Sequence, residues 1–168
     1  LKVFLIAGEA SGDAYGAHLI RELNTACQSE GLNLETVGWG GDAMNGEGMR
    51  LLTHFTSINF MGFLEVAQNL PSIFQNLKRA KKDIVREDPD VIVTIDFPGF
   101  NMRLARALRR LNHSAMRIQW IAPQVWAWRS GRVARLREDF DVVVPILPFE
   151  IAHLESAGVP VWNVGHPL

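Results

Sequence analysis

The chain has 168 residues, 48% hydrophobic and 21% charged, which suits one globular domain with a sizeable core. No apolar run reaches the length of a membrane span. The single cysteine, Cys27, excludes an internal disulfide and leaves no metal-ligand cysteine spacing, so a cytoplasmic setting is the default.

The net charge of −1 is unevenly spread, because residues 78–137 hold 14 of the 17 Lys and Arg but 5 of the 18 Asp and Glu. This asymmetry fits an anionic partner for the middle of the chain. It equally fits solvated helix faces: Lys78, Arg79 and Lys82 lie opposite the Ile73/Leu77/Ala80/Ile84 stripe, and Arg103, Arg106 and Arg110 oppose Leu104, Leu108 and Leu111.

In chain order, strand-like runs are predicted at Lys2–Ala7, Asn33–Trp39, Val91–Ile95, Met116–Ile121, Asp141–Pro145 and Val161–Val164. Helical periodicity falls at Ala14–Glu30, Phe63–Asn69, Pro71–Asp88, Met102–Asn112, Gly131–Glu138 and Phe149–Ala157. Pro71 suits a first helical turn. Strands that barely alternate imply a parallel sheet covered on both sides. The predicted fold is therefore α/β: a doubly wound, mainly parallel, Rossmann-like sheet with helices on both faces. The chain starts at Leu and stops at Leu168 soon after a strand, as a piece of a longer polypeptide would.

In such a sheet, ligands sit beyond the carboxyl ends of the strands. The first such loop reads Gly8-Glu9-Ala10-Ser11-Gly12-Asp13. It lacks the Gly-Lys-Ser/Thr of a P-loop and the third glycine of the dinucleotide fingerprint, which disfavours a nucleotide-dependent oxidoreductase. Glu9 and Asp13 would repel a phosphate and suit hydroxyls or a positive group. Asp13 alternatively caps the first helix.

Ile58-Asn59-Phe60-Met61-Gly62-Phe63-Leu64-Glu65-Val66 is greasy around a glycine, and the basic run Lys78-Arg79-Ala80-Lys81-Lys82 follows. This is the composition of an interfacial membrane contact or acyl-chain site, with Met61 and Phe63 as candidates, or else of an ordinary buried helix.

Asp96 directly follows Val91-Ile92-Val93-Thr94-Ile95. An acid at the tip of a central strand is partly desolvated, so its pKa rises and it can serve as a base. The alternative is a turn-former ahead of Pro98. Asn101 can orient a ligand hydroxyl or act as a helix N-cap.

Ala122-Pro123-Gln124-Val125-Trp126-Ala127-Trp128-Arg129 then places two indoles, an amide and a guanidinium in one loop. That set suits a sugar ring or phosphorylated ligand, unless the rings plug the core. Gln124, Trp126 and Arg129 are the candidate contacts.

Together these loops resemble the bacterial lipid-A-disaccharide synthase family. The matching pieces are Gly8–Asp13, Met61-Gly62-Phe63-Leu64-Glu65-Val66, Asp96-Phe97-Pro98-Gly99-Phe100-Asn101, Pro123–Arg129, Leu147-Pro148-Phe149-Glu150 and Gly165-His166-Pro167, end to end and in family order. The resemblance implies an inverting GT-B glycosyltransferase from a Gram-negative bacterium. Such an enzyme moves 2,3-diacylglucosamine from its UDP donor to 2,3-diacylglucosamine 1-phosphate, giving a β-1,6 lipid A disaccharide and UDP.

The resemblance also implies a cytoplasmic enzyme, peripherally bound to the inner membrane, working without metal or cofactor and without nucleic acid, with a homodimer conceivable at full length. Asp96 then matches the general base and Glu9 an acid important for activity, while Ser11, Gly12, Asp13, Met61, Phe63, Asn101, Gln124, Trp126 and Arg129 line the substrate site. Gly99 departs from the family, many of whose members carry a second acid there. Residues 1–168 then form the amino-terminal, acceptor-side domain, and the carboxy-terminal UDP-sugar domain lies outside this chain. The competing class is a non-catalytic module that binds phosphorylated sugars or lipids at a membrane surface.

Overall fold

The computed structural model describes residues 1–58, 70–123 and 130–165. Six parallel strands form one sheet in the order β3-β2-β1-β4-β5-β6, with β1 Lys2–Ala7, β2 Glu35–Gly40, β3 Arg50–His54, β4 Val91–Ile95, β5 Met116–Trp120 and β6 Val142–Val144. The helices are α1 Ala10–Ser29, α2 Asp42–Gly46, α3 Leu70–Glu87, α4 Pro98–Arg110, α5 Ser130–Asp139 and α6 Pro148–Ser156.

The run Val3-Phe4-Leu5-Ile6-Ala7 shows why the strands read as unbroken apolar stretches. Val3, Leu5 and Ala7 enter one core with Ala17 and Ile20 of α1 and Met44 of α2. Phe4 and Ile6 enter the other, with Ala80 and Ile84 of α3 and Phe100, Leu104 and Leu108 of α4. Successive side chains point to opposite faces and both faces are covered, so a polar residue there needs a buried partner. Beyond β5, Val143 of β6 gathers Leu136 of α5 and Leu154 of α6 against Met102 and Ala105 of α4.

Close approaches set the spacing of the layers. A Cβ on Gly12 would stand 3.3 Å from the Ala7 Cβ, so α1 lies directly against β1 there. A Cβ on Gly38 would lie 1.9 Å from the Leu5 carbonyl oxygen, a backbone atom that cannot swing aside. The other face is tied by a buried polar contact: the Trp39 Nε1–H donates to Asp83 Oδ2 at 3.0 Å, and Arg86 pairs with the same carboxylate at 3.1 Å.

Several boundaries differ from the sequence reading. β3 and α2 were not predicted. β3 is a five-residue edge strand of mixed polarity, and α2 is a single short turn. Both α1 and α4 begin four residues early, at Ala10 and Pro98, because the turns ahead of them are tighter than a loop reading allows. Val161–Val164 is reduced to one bridge, Val143 with Val161, leaving Trp162 and Val164 52% and 64% exposed. The helix predicted at Phe63–Asn69 lies outside the described residues.

Candidate functional site

The sheet order reverses between β1 and β4: the chain builds outward from β1 to β2 and β3, then crosses back to β4 and continues the other way. At such a switch the loops after the two central strands diverge and leave a crevice. Ala7 pairs with Ile95 in the parallel ladder, so Glu9 and Asp96 emerge side by side at its mouth. Glu9 is exposed at the N-cap of α1, where its Oε1 accepts a hydrogen bond from the Ser11 hydroxyl.

Asp96 and Phe97 both take left-handed backbone conformations, φ +48° and +40°. Neither is glycine, so the turn stores strain that its surroundings must hold. The Asp96 carboxyl is raised above the ordinary aspartate range. Burial is the main cause and the Glu9 charge the second, while a hydrogen bond from the Phe97 backbone opposes both. A carboxylate with raised proton affinity, half open to a crevice, is the chemistry of a general base.

Two amides converge on the Asp96 carbonyl oxygen. Asn101 Nδ2 donates to it at 2.6 Å and Gln119 Nε2 at 2.9 Å. Asn101 is fully buried in the first turns of α4, so it is neither the N-cap, which is Phe97, nor open to a ligand hydroxyl. In this structure its amide is turned to the backbone of Asp96. Gln119 was passed over as part of an apolar strand. The available signal was a single amide between Ile118 and Trp120, since a buried polar side chain must be satisfied by something.

Asp13 also turns inward. It is 5% exposed, and its carboxylate accepts from the backbone N–H groups of Gly41 at 2.7 Å, Ala43 at 3.0 Å and Met44 at 3.1 Å. It therefore caps α2 rather than α1, with both carboxylate oxygens engaged by backbone N–H groups. Gly12 is buried against Ala7, so its part is to let α1 approach the sheet. Ser11 remains exposed at the crevice. Met61, Phe63, Gln124, Trp126 and Arg129 lie outside the described residues.

Much of the positive charge of the middle segment has partners within the fold. Arg79 lies over the Trp39 ring at 5.8 Å, Arg109 pairs with Asp139 at 3.2 Å, and Arg117 pairs with Asp141 at 3.1 Å. A cavity of about 310 Å³ lined by Arg106, Arg109, Arg110, Asn112, Glu138 and Asp139 sits at the carboxyl end of α4, away from the Asp96 rim. Among the described residues, no group of three or more His, Cys, Asp or Glu is placed to hold a metal, and no helix is long and apolar enough to cross a membrane.

The chain is similar to lipid-A-disaccharide synthases from Trichlorobacter lovleyi, Geobacter sulfurreducens and Pseudomonas aeruginosa. Identity is 38% and 39% over 167 residues and 36% over 168 residues, respectively. These matches cover 99–100% of the chain but 42–43% of the relatives, so the chain spans about two fifths of their length. Among solved structures, a UDP-GlcNAc 2-epimerase from Neisseria meningitidis bound to UDP-GlcNAc superposes with a TM-score of 0.66. That alignment has 13% identity and covers 99% of this chain and 47% of the other, a likeness of fold. A family model described as lipid-A-disaccharide synthetase matches residues 3–168. With all but the first two residues inside that match, the chain belongs to the lipid-A-disaccharide synthetase family.

Proposed function

We propose that this chain is the acceptor-side half of a glycosyltransferase of lipid A biosynthesis, with Asp96 as its general base. The acceptor is 2,3-diacylglucosamine 1-phosphate and the donor UDP-2,3-diacylglucosamine. Asp96 takes the proton of the acceptor 6-hydroxyl as that oxygen attacks the anomeric carbon. The bond from that carbon to the UDP oxygen breaks with its electron pair, releasing UDP and leaving an inverted, β-1,6-linked disaccharide. Glu9 assists by charge: a neighbouring carboxylate makes Asp96 hold a proton more tightly and so strengthens it as a base.

The observation that carries this reading is the position of Asp96, which stands at the switch point beside Glu9 with its carboxyl raised by burial. In a protein of the relatives' full length that carries this sequence, Asp96→Asn is expected to abolish transfer while leaving acceptor binding intact. Full activity in that variant would remove Asp96 from the mechanism and favour a binding module. The isolated 168-residue chain is expected to release no UDP.

The membrane contact belongs to the same reading. Phe74 and Val85, 65% and 53% exposed, recur on the outer face of α3 with exposed Lys78 and Lys82 at helical spacing. With the greasy segment around Phe60 and Phe63, this composition supports peripheral binding at the inner membrane. Replacing Phe60 and Phe63 by Ser is expected to weaken liposome association; unchanged partitioning would argue against it.

A further inference from the structure

Gln119 is the next-to-last residue of β5 and has no exposed surface. A primary amide in a sheet interior is destabilising unless its donors and acceptor are all used. Here they are. Gln119 Oε1 accepts from the Thr94 hydroxyl at 2.7 Å, across the ladder from its register partner. Nε2 faces three carbonyl oxygens, those of Asp96 at 2.9 Å, Ile121 at 3.2 Å and Trp120 at 3.3 Å.

The orientation has no alternative of comparable energy. Rotating the amide by half a turn would set Oε1 against three carbonyl oxygens and Nε2 against the hydroxyl alone. The three carbonyls thus fix which end of the amide points at the strand ends, and the Thr94 hydroxyl, which also lies 3.2 Å from the Ile118 carbonyl oxygen, meets the other end.

Those strand ends are where the backbone is strained. Asp96 and Phe97 are left-handed, and so is Ile121 at φ +66°, an outlier for a β-branched residue. Gln119 grips the carbonyls of Asp96 and Ile121, one in each strained turn. At Asp96 the second lone pair is taken by Asn101 from α4. The turn bearing Asp96 is therefore held from the sheet side by β5 and from the helix side by α4, with no carbonyl lone pair left for water.

We propose that Gln119, oriented by the carbonyls at the strand ends, is the positioning residue that holds Asp96 in its left-handed turn at the crevice. The proposal rests on the reading of Asp96 as the base. Without the Gln119 amide the turn relaxes toward ordinary backbone angles, the carboxyl swings toward water, and its proton affinity falls. Displacement of a reacting group by an ångström is enough to slow chemistry by on the order of a hundredfold without changing ground-state binding.

Gln119→Met keeps the side-chain volume and removes every hydrogen bond. In this chain, carbon-detected NMR titration of the Asp96 carboxyl reads the position directly. The midpoint is expected to fall toward the ordinary aspartate range in Gln119→Met, with the far-UV circular dichroism unchanged. In the protein of full length, kcat is expected to fall tenfold or more, on the order of the loss from a misplaced group, with KM for the acceptor unchanged.

A folded variant with the parent's Asp96 midpoint overturns the proposal, and so does one whose kcat stays within twofold. If Gln119→Met does not fold, Gln119→Leu, which also removes every hydrogen bond of the amide, is held to the same two readings. Failure of the parent reading looks different: transfer would survive Asp96→Asn while Gln119→Met still moved the Asp96 titration.

Discussion

Asn101 donates from its side-chain amide to the carbonyl oxygen of Asp96 at 2.6 Å, so the first turns of α4 hold the backbone of the residue two places ahead of the helix. The bond is partly buried and spans five residues, tying the acid at the rim to a helix whose apolar stripe is locked in the core. Asn101→Leu preserves volume but leaves the Asp96 carbonyl with one partner. It is expected to lower stability by about 1–2 kcal/mol, as for a lost buried hydrogen bond, measured by thermal or urea denaturation.

The raised carboxyl of Asp96 has a sign that stability measurements can read. A folded-state pKa above the unfolded one means the folded protein prefers the protonated acid. The benefit is complete below the ordinary aspartate range and is lost as pH rises through the folded pKa. Asp96→Asn, which stays neutral, is therefore expected to be more stable than the parent at pH 7. The difference should close as pH falls below the ordinary aspartate range. Glu9→Gln removes the second cause of the shift, so the Asp96 titration should move to lower pH in that variant. Melting temperatures across the pH range, with an NMR titration of Asp96, check both.

Asp13 supplies the cap of α2, accepting from three backbone N–H groups at the start of that helix. Asp13→Ala leaves those donors unsatisfied and is expected to destabilise the fold by about 3 kcal/mol, the scale of charge-assisted bonds in a buried setting. Hydrogen exchange should localise the loss to residues 41–46, and uniform protection there would contradict it.

At the opposite end of the sheet, Glu87 bridges Arg50 at 2.5 Å and Lys2 at 3.0 Å, and Arg50 also reaches Glu35 at 3.0 Å. The hydrogen bond from Arg50 leads in holding the Glu87 carboxyl down to about 2, against the opposing effect of burial. A depressed acid contributes stability that is present above its unfolded pKa and lost as pH falls toward the folded one. Glu87→Gln is expected to cost about 1 kcal/mol at pH 7, as for a partly screened ion pair. That difference should shrink between the ordinary glutamate range and pH 2, in urea denaturation followed at several pH values.

Legibility differed by element for physical reasons. The central strands were readable because β1 and β4 face helices on both sides, which leaves no polar alternation and makes an apolar run unambiguous. β3 was not, since an edge strand with Arg50 and His54 at its ends carries the composition of a loop. Asp96 and Glu9 stood out as acids directly after central strands, and the ladder register brings them together. Asp13 and Asn101 stood out for the same reason but took different partners. Whether an acid or amide near a strand end faces solvent or packs against a neighbouring element depends on where the next helix begins. Both α1 and α4 begin at residues that read as loop.

The amino-acid sequence by itself determined the alternation of strands and helices, the burial of the sheet on both faces, the family, and the candidacy of Asp96, because each of these follows from local periodicity or from residues adjacent in the chain. Only the tertiary structure decided that Asp13 caps a helix 28 residues away, that Asn101 and Gln119 meet on the Asp96 carbonyl, and that a single amide in β5 holds two strained turns. Those relations are between hydrogen-bonding groups whose satisfaction is decided by burial. Burial is a property of the packed layers and not of any segment of the chain.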